Sequence, residues 1–316
     1  MKALQATDGH PCLVNCEKPV LQTGQVLIKV AAAGLNRADL LQVAGLYPPP
    51  PGASEVLGLE CAGIIVDAGD SSRWQLGDEV CALLTGGGMA EYVAVDERLV
   101  LPVPQGLSLI EAAAVPEVYS TAWLNVFQLG QARAGEKVLL HAGASGVGSA
   151  AIQLCRAFGL QVYVSVGSAE RLAYCKDLGA VDGVVRHDGV EGLAEFAPFD
   201  VILDPVGASY AQQNLKWLAL DGRWVNIGLM GGRRVELDLA QLLGKRIQLI
   251  GSTLRTRDDA FKAKLLAELE QQVWPLFAQQ QLNPQLSRQY SICDAKQAFA
   301  ELAGNQVNGK LVLVFD

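Results

Sequence analysis

Apolar positions recur along this chain with two different periods, and the change falls near Ser108. Before it, short apolar runs alternate with glycine and proline: QVLIKVAAAGL (Gln25–Leu35), LGLECAGIIVDAG (Leu57–Gly69), DEVCALL (Asp78–Leu84) and AEYVAVDERLVLPVP (Ala90–Pro104). Runs of this length and spacing predict strands of a β-rich domain. YPPPPG (Tyr47–Gly52) predicts a stiff loop, because proline fixes φ and lacks the N–H that a strand or helix needs. Leu107–Gly130 reads as helices broken near Pro116. Strands and helices then alternate. The predicted strands are KVLLH, QVYVSV, DVILD, RWVNIG and IQLIGS, and the helices between them include Ser149–Phe158, Ser168–Gly179 and Ala208–Ala219. That alternation predicts a doubly wound parallel sheet. The tail reads as a long helix over Asp258–Gln281, a helix over Asp294–Ala303 and a closing strand, KLVLVF (Lys310–Phe315). The late return of β character places the C-terminus back in the first domain. The expected division is 1–118 with 282–316 as the β-rich catalytic domain and 119–281 as the α/β domain.

The junction of KVLL (Lys137–Leu140) with HAGASGVG (His141–Gly148) and the helix beyond it carries candidate chemistry. Strand, glycine-rich turn and helix is the geometry that binds a dinucleotide. Small residues let the backbone approach a pyrophosphate, and the helix start presents N–H groups and a positive dipole end to the anion. Ser145, Gly146, Val147 and Gly148 are therefore candidate cofactor residues, the Ser145 hydroxyl as a direct donor.

The next strand ends in VSVGSAER, where an NAD-preferring site has an acidic residue bonded to the ribose hydroxyls. Here Gly167 and Ser168 stand at that end, with Arg171 in the following turn and Arg186 after the GVV run. An aspartate about 4 Å from a 2′-phosphate would oppose it by about 4 kcal/mol at an effective dielectric of 20. Serine with arginine supplies a donor and a counter-charge instead, so NADPH is favoured over NADH. The plainer readings are an ordinary N-cap for Ser168 and a solvated charge for Arg171.

Composition narrows the class. With 316 residues, 50% hydrophobic and 18% charged, the chain is long enough for two packed domains and is not of disordered type. A net charge of −8 without a basic run argues against nucleic acid as a partner. No apolar stretch is long enough to span a membrane, and the first residues lack the pattern of a signal peptide. The seven cysteines are scattered and odd in number, as expected of reduced thiols in a cytoplasmic protein. The three histidines form no ligand pair.

GLNRADLLQVAG (Gly34–Gly45) and LGLECAG (Leu57–Gly63) resemble the medium-chain dehydrogenase/reductase superfamily. In its zinc alcohol dehydrogenases these stretches carry a cysteine ligand and a Gly-His-Glu; Asn36 and Leu59 stand at those positions here. Catalytic zinc needs three protein ligands, so the resemblance with these departures implies a metal-free site. The four-cysteine structural lobe is also missing, since no cysteine lies between Cys81 and Tyr92. The chain is more similar to the zinc-free, zeta-crystallin-like quinone oxidoreductases. LNRADLLQ, EYVAV, EKVLLHAGASGVGSAAIQLCR (Glu136–Arg156) and GKLVL (Gly309–Leu313) carry that likeness. YPPPPGAS and DGRWVNIGLMGG resemble the damage-inducible quinone oxidoreductase branch in particular.

The resemblance implies a GroES-like domain beside a Rossmann domain, NADPH as cofactor, and hydride transfer to a quinone, an ortho-quinone among the candidates. An alkenal or enone reductase on the same scaffold is the alternative, and a cofactor-binding protein with negligible turnover is a reading from another class. The resemblance also implies a homodimer, and the apolar edge IQLIGS is the expected seam. Asn36 is expected beside nicotinamide and acceptor, where its amide can donate and accept; capping a turn is its plainer role. Tyr47, on the proline loop, is a lid that stacks on a flat acceptor or donates to its oxygen, or else packs against proline. Thr121, at the start of a domain-crossing helix, is expected at the nicotinamide-side phosphate or ribose. Gly228, Leu229, Met230, Ser252 and Leu254 follow strand ends and are expected to line the nicotinamide pocket. Asn308 and Lys310 resemble the closing N-x-G-K piece beside the cofactor, although a solvated lysine at a strand start is as good a reading of Lys310. Glu60 reads as a structural carboxylate.

Overall fold

The computed structural model describes residues 1–315. They fall into two units, Met1–Ser120 with the stretch from Leu254 onward, and Thr121–Thr253.

The first unit is built on a seven-stranded sheet centred on Gln25–Leu35. This strand pairs antiparallel with Glu60–Asp67, with Tyr92–Asp96 through its first half, and with Lys310–Val314 through its last residues. Glu79–Leu83 and Val100–Pro102 extend the sheet on one side, and Leu286–Ser291 on the other. The chain therefore returns at its end to the strand it made near its start, as the closing apolar run predicts. The register sets Leu311 opposite Leu35, which brings Lys310 to the residue where the helix Arg37–Val43 begins.

The second unit is a six-stranded parallel sheet. Its spatial order is Asp182–Val185, Gln161–Val166, Lys137–His141, Phe199–Asp204, Leu218–Asn226 and Gln248–Gly251. Taken in chain order, the strands lie 3-2-1-4-5-6, the doubly wound Rossmann arrangement. Leu139, Ile202, Leu215, Trp217 and Trp224 pack one face of this sheet. Local chemistry sets the helix starts. Ser145 caps Gly146–Ala157, its Oγ accepting from the Gly148 N–H at 3.1 Å. Ser168 caps Ala169–Leu178 in the same way, and Gly179 ends that helix at φ +118°, a conformation glycine adopts without strain.

Three expectations change. The tail helix is two helices, Asp259–Gln272 and Trp274–Ala278, parted at Val273 just before Pro275. Both belong to the first unit, not to the α/β unit to which residues up to 281 were assigned. The reason is burial: Leu265, Leu266 and Leu269 are covered there, and Trp274 Nε1 donates to the Pro102 carbonyl at 2.8 Å. Thr121 sits at the end of the short helix Pro116–Ala122, not at a helix start. The chain then widens into a π-helix over Trp123–Leu129. Asn125 Nδ2 donates to the Thr121 carbonyl at 2.7 Å, and a side chain inserted into the ladder in this way favours such widening.

Candidate functional site

In the second unit the candidate residues after the second strand converge. A Cβ placed on Gly167 would lie 3.4 Å from Arg171 Nη1 and 3.7 Å from Arg186 Nη2. Two guanidiniums thus wall a hollow that exists because residue 167 has no side chain. The Ser168 hydroxyl accepts from the Arg171 N–H at 3.4 Å and donates to the Glu170 carboxylate, so its plainer reading as a cap holds. Arg186 is hydrogen-bonded to the Tyr210 hydroxyl, a partner the sequence reading missed. Ser145 is likewise a cap, with its hydroxyl proton left to donate. A Cβ on Gly148 would lie 2.4 Å from the Gly143 carbonyl oxygen, so only glycine lets the turn close.

Beneath this turn is a buried polar chain. Asp204 accepts from the Val206 and Gly207 N–H groups at 2.7 and 3.0 Å, and from Asn214 Nδ2 and Trp224 Nε1 at 3.0 Å each. The Asn214 amide is oriented by Asp204, so its Oδ1 faces His141 Nε2 at 2.8 Å and that nitrogen is the donor. Ser165 Oγ lies 2.8 Å from the other ring nitrogen. Burial pushes His141 below its ordinary value, against the pull of Asp204. Asn226 Nδ2 donates to the Gly228 carbonyl at 3.0 Å, which fixes the following loop while Leu229 and Met230 stay exposed. The Ser252 hydroxyl is buried without a hydrogen-bond partner.

In the first unit Glu60 is a hub with 0% exposure. Its Oε1 accepts from Lys310 Nζ at 2.6 Å and from Asn36 Nδ2 at 2.9 Å, and its Oε2 from the Glu117 N–H at 2.9 Å. Lys310 is 4% exposed and also donates to the Leu35 carbonyl and to Asn36 Oδ1. The reading of Lys310 as a solvated lysine is therefore overturned: its strand register carries it into the core. Asn36 does stand at a helix N-cap, but its side chain turns from the helix to Glu60 and Lys310. The cap is closed instead by Asp39, whose Oδ2 accepts from the Asn36 N–H at 2.8 Å. Burial pushes the Asp39 carboxyl up to about 6, although N–H groups of Asn36 and Gly58 favour its charged form. A Cβ on Gly34 would collide with Glu60 Oε1 and lie 2.6 Å from the Ala113 carbonyl oxygen, so only glycine lets the hub pack this closely. Asn308 Oδ1 is buried without a partner, and Leu254 is buried.

The same unit holds groups that no sequence signal picked out. The Arg255 guanidinium donates to the Thr85 carbonyl at 2.8 Å, the Tyr47 carbonyl at 3.2 Å and Gln42 Oε1 at 2.7 Å, and lies 5.4 Å from the Tyr47 ring centre. The proline loop is thereby tied to the helix Arg37–Val43. Lys262, 1% exposed, donates to Thr85 Oγ1 at 2.6 Å. Glu117 is half-buried, and burial followed by the nearby Glu60 pushes it up to about 8. Burial also pushes the Tyr47 hydroxyl upward, with Glu117 adding to the shift and Arg255 opposing it. Among the described residues no three His, Cys, Asp or Glu side chains are grouped to hold a metal ion, and no helix is long and apolar enough to cross a membrane.

A GroES-like sheet unit and a Rossmann unit in one chain define an oxidoreductase of the dehydrogenase/reductase class. Residues 22–105 match the alcohol dehydrogenase GroES-like domain and residues 146–271 the zinc-binding dehydrogenase family. The quinone oxidoreductase of Thermus thermophilus, solved also with NADPH, is 31% identical with a TM-score of 0.84, over 99% of this chain and 100% of that one. The CurK enoyl reductase is 25% identical with a TM-score of 0.85, over 100% and 99%. A phenolphthiocerol synthesis polyketide synthase of Mycobacterium bovis is 33% identical over 304 residues, 93% of this chain. The chain spans only 14% of that synthase's length, and between 5% and 18% of the length of four polyketide synthases it is similar to. The chain belongs to the medium-chain dehydrogenase/reductase superfamily.

Proposed function

We propose that the protein is an NADPH-dependent reductase of quinones, ortho-quinones among them, working without metal and as a homodimer. The observation that carries the reading is the Gly167 hollow. A phosphate monoester needs positive charge and space together, and the missing Cβ leaves space between two guanidiniums. Ser168 adds a hydroxyl, shared with the Glu170 carboxylate, and the strand-end positions themselves carry no acidic residue. Ser145 to Gly148 would take the pyrophosphate at the helix start. Thr121, Gly228, Leu229, Met230, Ser252, Leu254 and Asn308 are the further residues we assign to the dinucleotide, the unpartnered Ser252 hydroxyl and Asn308 oxygen being suited to it.

When bound, the dinucleotide supplies hydride to the acceptor. The protein supplies position and charge. Lys310 and Glu60 hold the Asn36 amide in one orientation, which leaves a lone pair and a weakly used N–H, 3.5 Å from the Gly34 carbonyl, for the acceptor or nicotinamide. Tyr47, held by Arg255, offers a flat ring and a hydroxyl. The donor set does not fit zinc. Lys310 already neutralises Glu60, Leu59 has no donor atom, and Asn36 is committed to both charged partners. The exposed Leu239, Leu243 and Leu249, on and beside the edge strand Gln248–Gly251, support a seam between two copies.

The likeness to an enoyl reductase and the raised Glu117 favour one second reading, reduction of an alkenal or enone double bond. The test compares NADPH and NADH oxidation with an ortho-quinone, a para-quinone and an alkenal. NADPH with a quinone is expected to be fastest. Ser168→Asp with Arg171→Ala should weaken NADPH binding by more than tenfold relative to NADH, as the loss of a charge-assisted bond worth about 1.5–3 kcal/mol implies. Equal losses for both coenzymes would overturn the assignment.

A further inference from the structure

A histidine that is 2% exposed and bonded through both ring nitrogens is suited to holding a neighbour still, not to moving protons. His141 ends the strand Lys137–His141, and its ring is fixed at two points, by Ser165 Oγ and by Asn214 Oδ1, each at 2.8 Å. Asn214 is in turn oriented by Asp204 at 3.0 Å. The plane of the imidazole is therefore set from the core outward.

One ring rests on it. Tyr210 closes the short helical turn Ala208–Tyr210, and its ring centre lies 4.8 Å from that of His141, with the planes tilted by 48°. The turn is pinned by Gly207, at φ +84°. The Gly207 N–H donates to Asp204 at 3.0 Å, and the Gly207 carbonyl accepts from the Tyr210 N–H at 3.0 Å. Asp204 thus sets the Tyr210 backbone through Gly207, and its ring through Asn214 and His141. The half-buried Tyr210 side chain is hydrogen-bonded to Arg186. A guanidinium has no acceptor, so the phenol oxygen receives that bond. Burial pushes the Tyr210 hydroxyl upward, with Arg186 opposing and the facing Asp204 and Glu191 adding to the shift, so it is an uncharged phenol at neutral pH.

Arg186 itself is exposed, on the turn Arg186–Asp188, yet its Nη2 and Nε lie 3.7 and 3.8 Å from where a Gly167 Cβ would stand. An untethered arginine loses side-chain freedom when it meets a ligand. One that is already held avoids part of that cost, about two- to tenfold in affinity. Arg171 walls the same hollow from the helix Ala169–Leu178.

We propose that Tyr210 is a positioning residue for the coenzyme's 2′-phosphate: its hydroxyl holds the Arg186 guanidinium at the Gly167 hollow, on a platform that His141, Asn214 and Asp204 fix in the core. The inference rests on the NADPH reading and deepens it. Part of the preference for a phosphorylated ribose then comes from a residue that acts through another, and the buried polar chain acquires a role at the surface.

The experiment measures NADPH and NADH dissociation constants by titration calorimetry for wild type, Tyr210→Phe, Arg186→Ala and the double variant. Tyr210→Phe keeps the ring on His141 and removes only the hydroxyl. It should weaken NADPH about fivefold and leave NADH within about twofold. Arg186→Ala should weaken NADPH more than about tenfold, with NADH little changed. Adding Tyr210→Phe to Arg186→Ala should cost less than about twofold more, because the side chain it positions is gone. Wild-type NADPH affinity in Tyr210→Phe, an equal loss for both coenzymes, or the same fivefold loss with Arg186 absent would overturn the positioning role, as would an Arg186→Ala protein that binds NADPH normally. A wild type that still prefers NADPH leaves the cofactor reading standing in each of those cases. A wild type that binds NADH as tightly as NADPH would overturn both.

Discussion

Glu60 and Asp204, one in each unit, are both fully buried carboxylates, and the two are held in opposite ways. Asp204 in the Rossmann unit is surrounded by neutral donors: two backbone N–H groups, an amide and an indole. Glu60 in the GroES-like unit is held by a cation, Lys310, with an amide and one backbone N–H. Dipoles that are already part of the fold keep Asp204 solvated when any one of them is lost. A single counter-charge gives no such reserve, and it couples the site to every ionisable neighbour. Hence the raised carboxyls, Asp39 and Glu117, gather around Glu60, whereas the Asp204 chain ends in a histidine that burial keeps neutral.

The largest expected effect breaks the charged pair. Lys310→Met strands a carboxylate in the core and should destabilise the protein by about 3–5 kcal/mol in urea denaturation. Asp204→Asn leaves mismatched donors but no unpaired charge, and should cost about 1–3 kcal/mol. Equal losses would mean that the two carboxylates are not held differently.

The pH response should separate the units with a smaller amplitude. A carboxyl raised in the folded state stabilises that state in acid. The contributions of Asp39 and Glu117 are complete below their ordinary values of 3.8 and 4.5, and are lost as pH rises through about 6 and about 8. His141 acts in the opposite direction: its contribution is present above the ordinary 6.5 and is lost as pH falls below it. The first unit should therefore lose on the order of 1–3 kcal/mol between pH 5 and 8, while the second loses stability toward pH 5. Pulse-labelling mass spectrometry along a urea series reads each unit by its own peptides, and parallel trends in both would contradict the contrast.

The smallest expected effect concerns the hollow. The nearest atoms to a Cβ at Gly167 are arginine tips at 3.4 Å and beyond, which is ordinary contact. Gly167→Ala should change stability by less than about 0.5 kcal/mol, yet narrow the site enough to weaken NADPH more than NADH in titration calorimetry.

The contrast also explains what the sequence could disclose. Ser145 with Gly148, and Ser168 with Arg171, act on neighbours three residues away, so their spacing carries their role. The hub spans 57 residues from Glu60 to Glu117 and 250 from Glu60 to Lys310. A glutamate after a proline and a lysine before an apolar strand read locally as surface charges, because burial is decided by sheet register. Arg255 and Lys262 were hidden for the same reason. The tail helix displayed an apolar face through Leu265, Leu266 and Leu269, but an apolar face does not name the surface that will cover it. Thr121 was misplaced because the side chain of Asn125, four residues on, takes its carbonyl.

The strand pairing of the first unit has a consequence for biosynthesis. Glu60 leaves the ribosome long before Lys310, while Thr121–Thr253 is continuous and has all its strands in hand once its last residue emerges. The Rossmann half can close during translation. The other half must wait with a strand edge open and an acidic side chain lacking its cation, so nascent chains are most vulnerable to aggregation and degradation until the final strand docks.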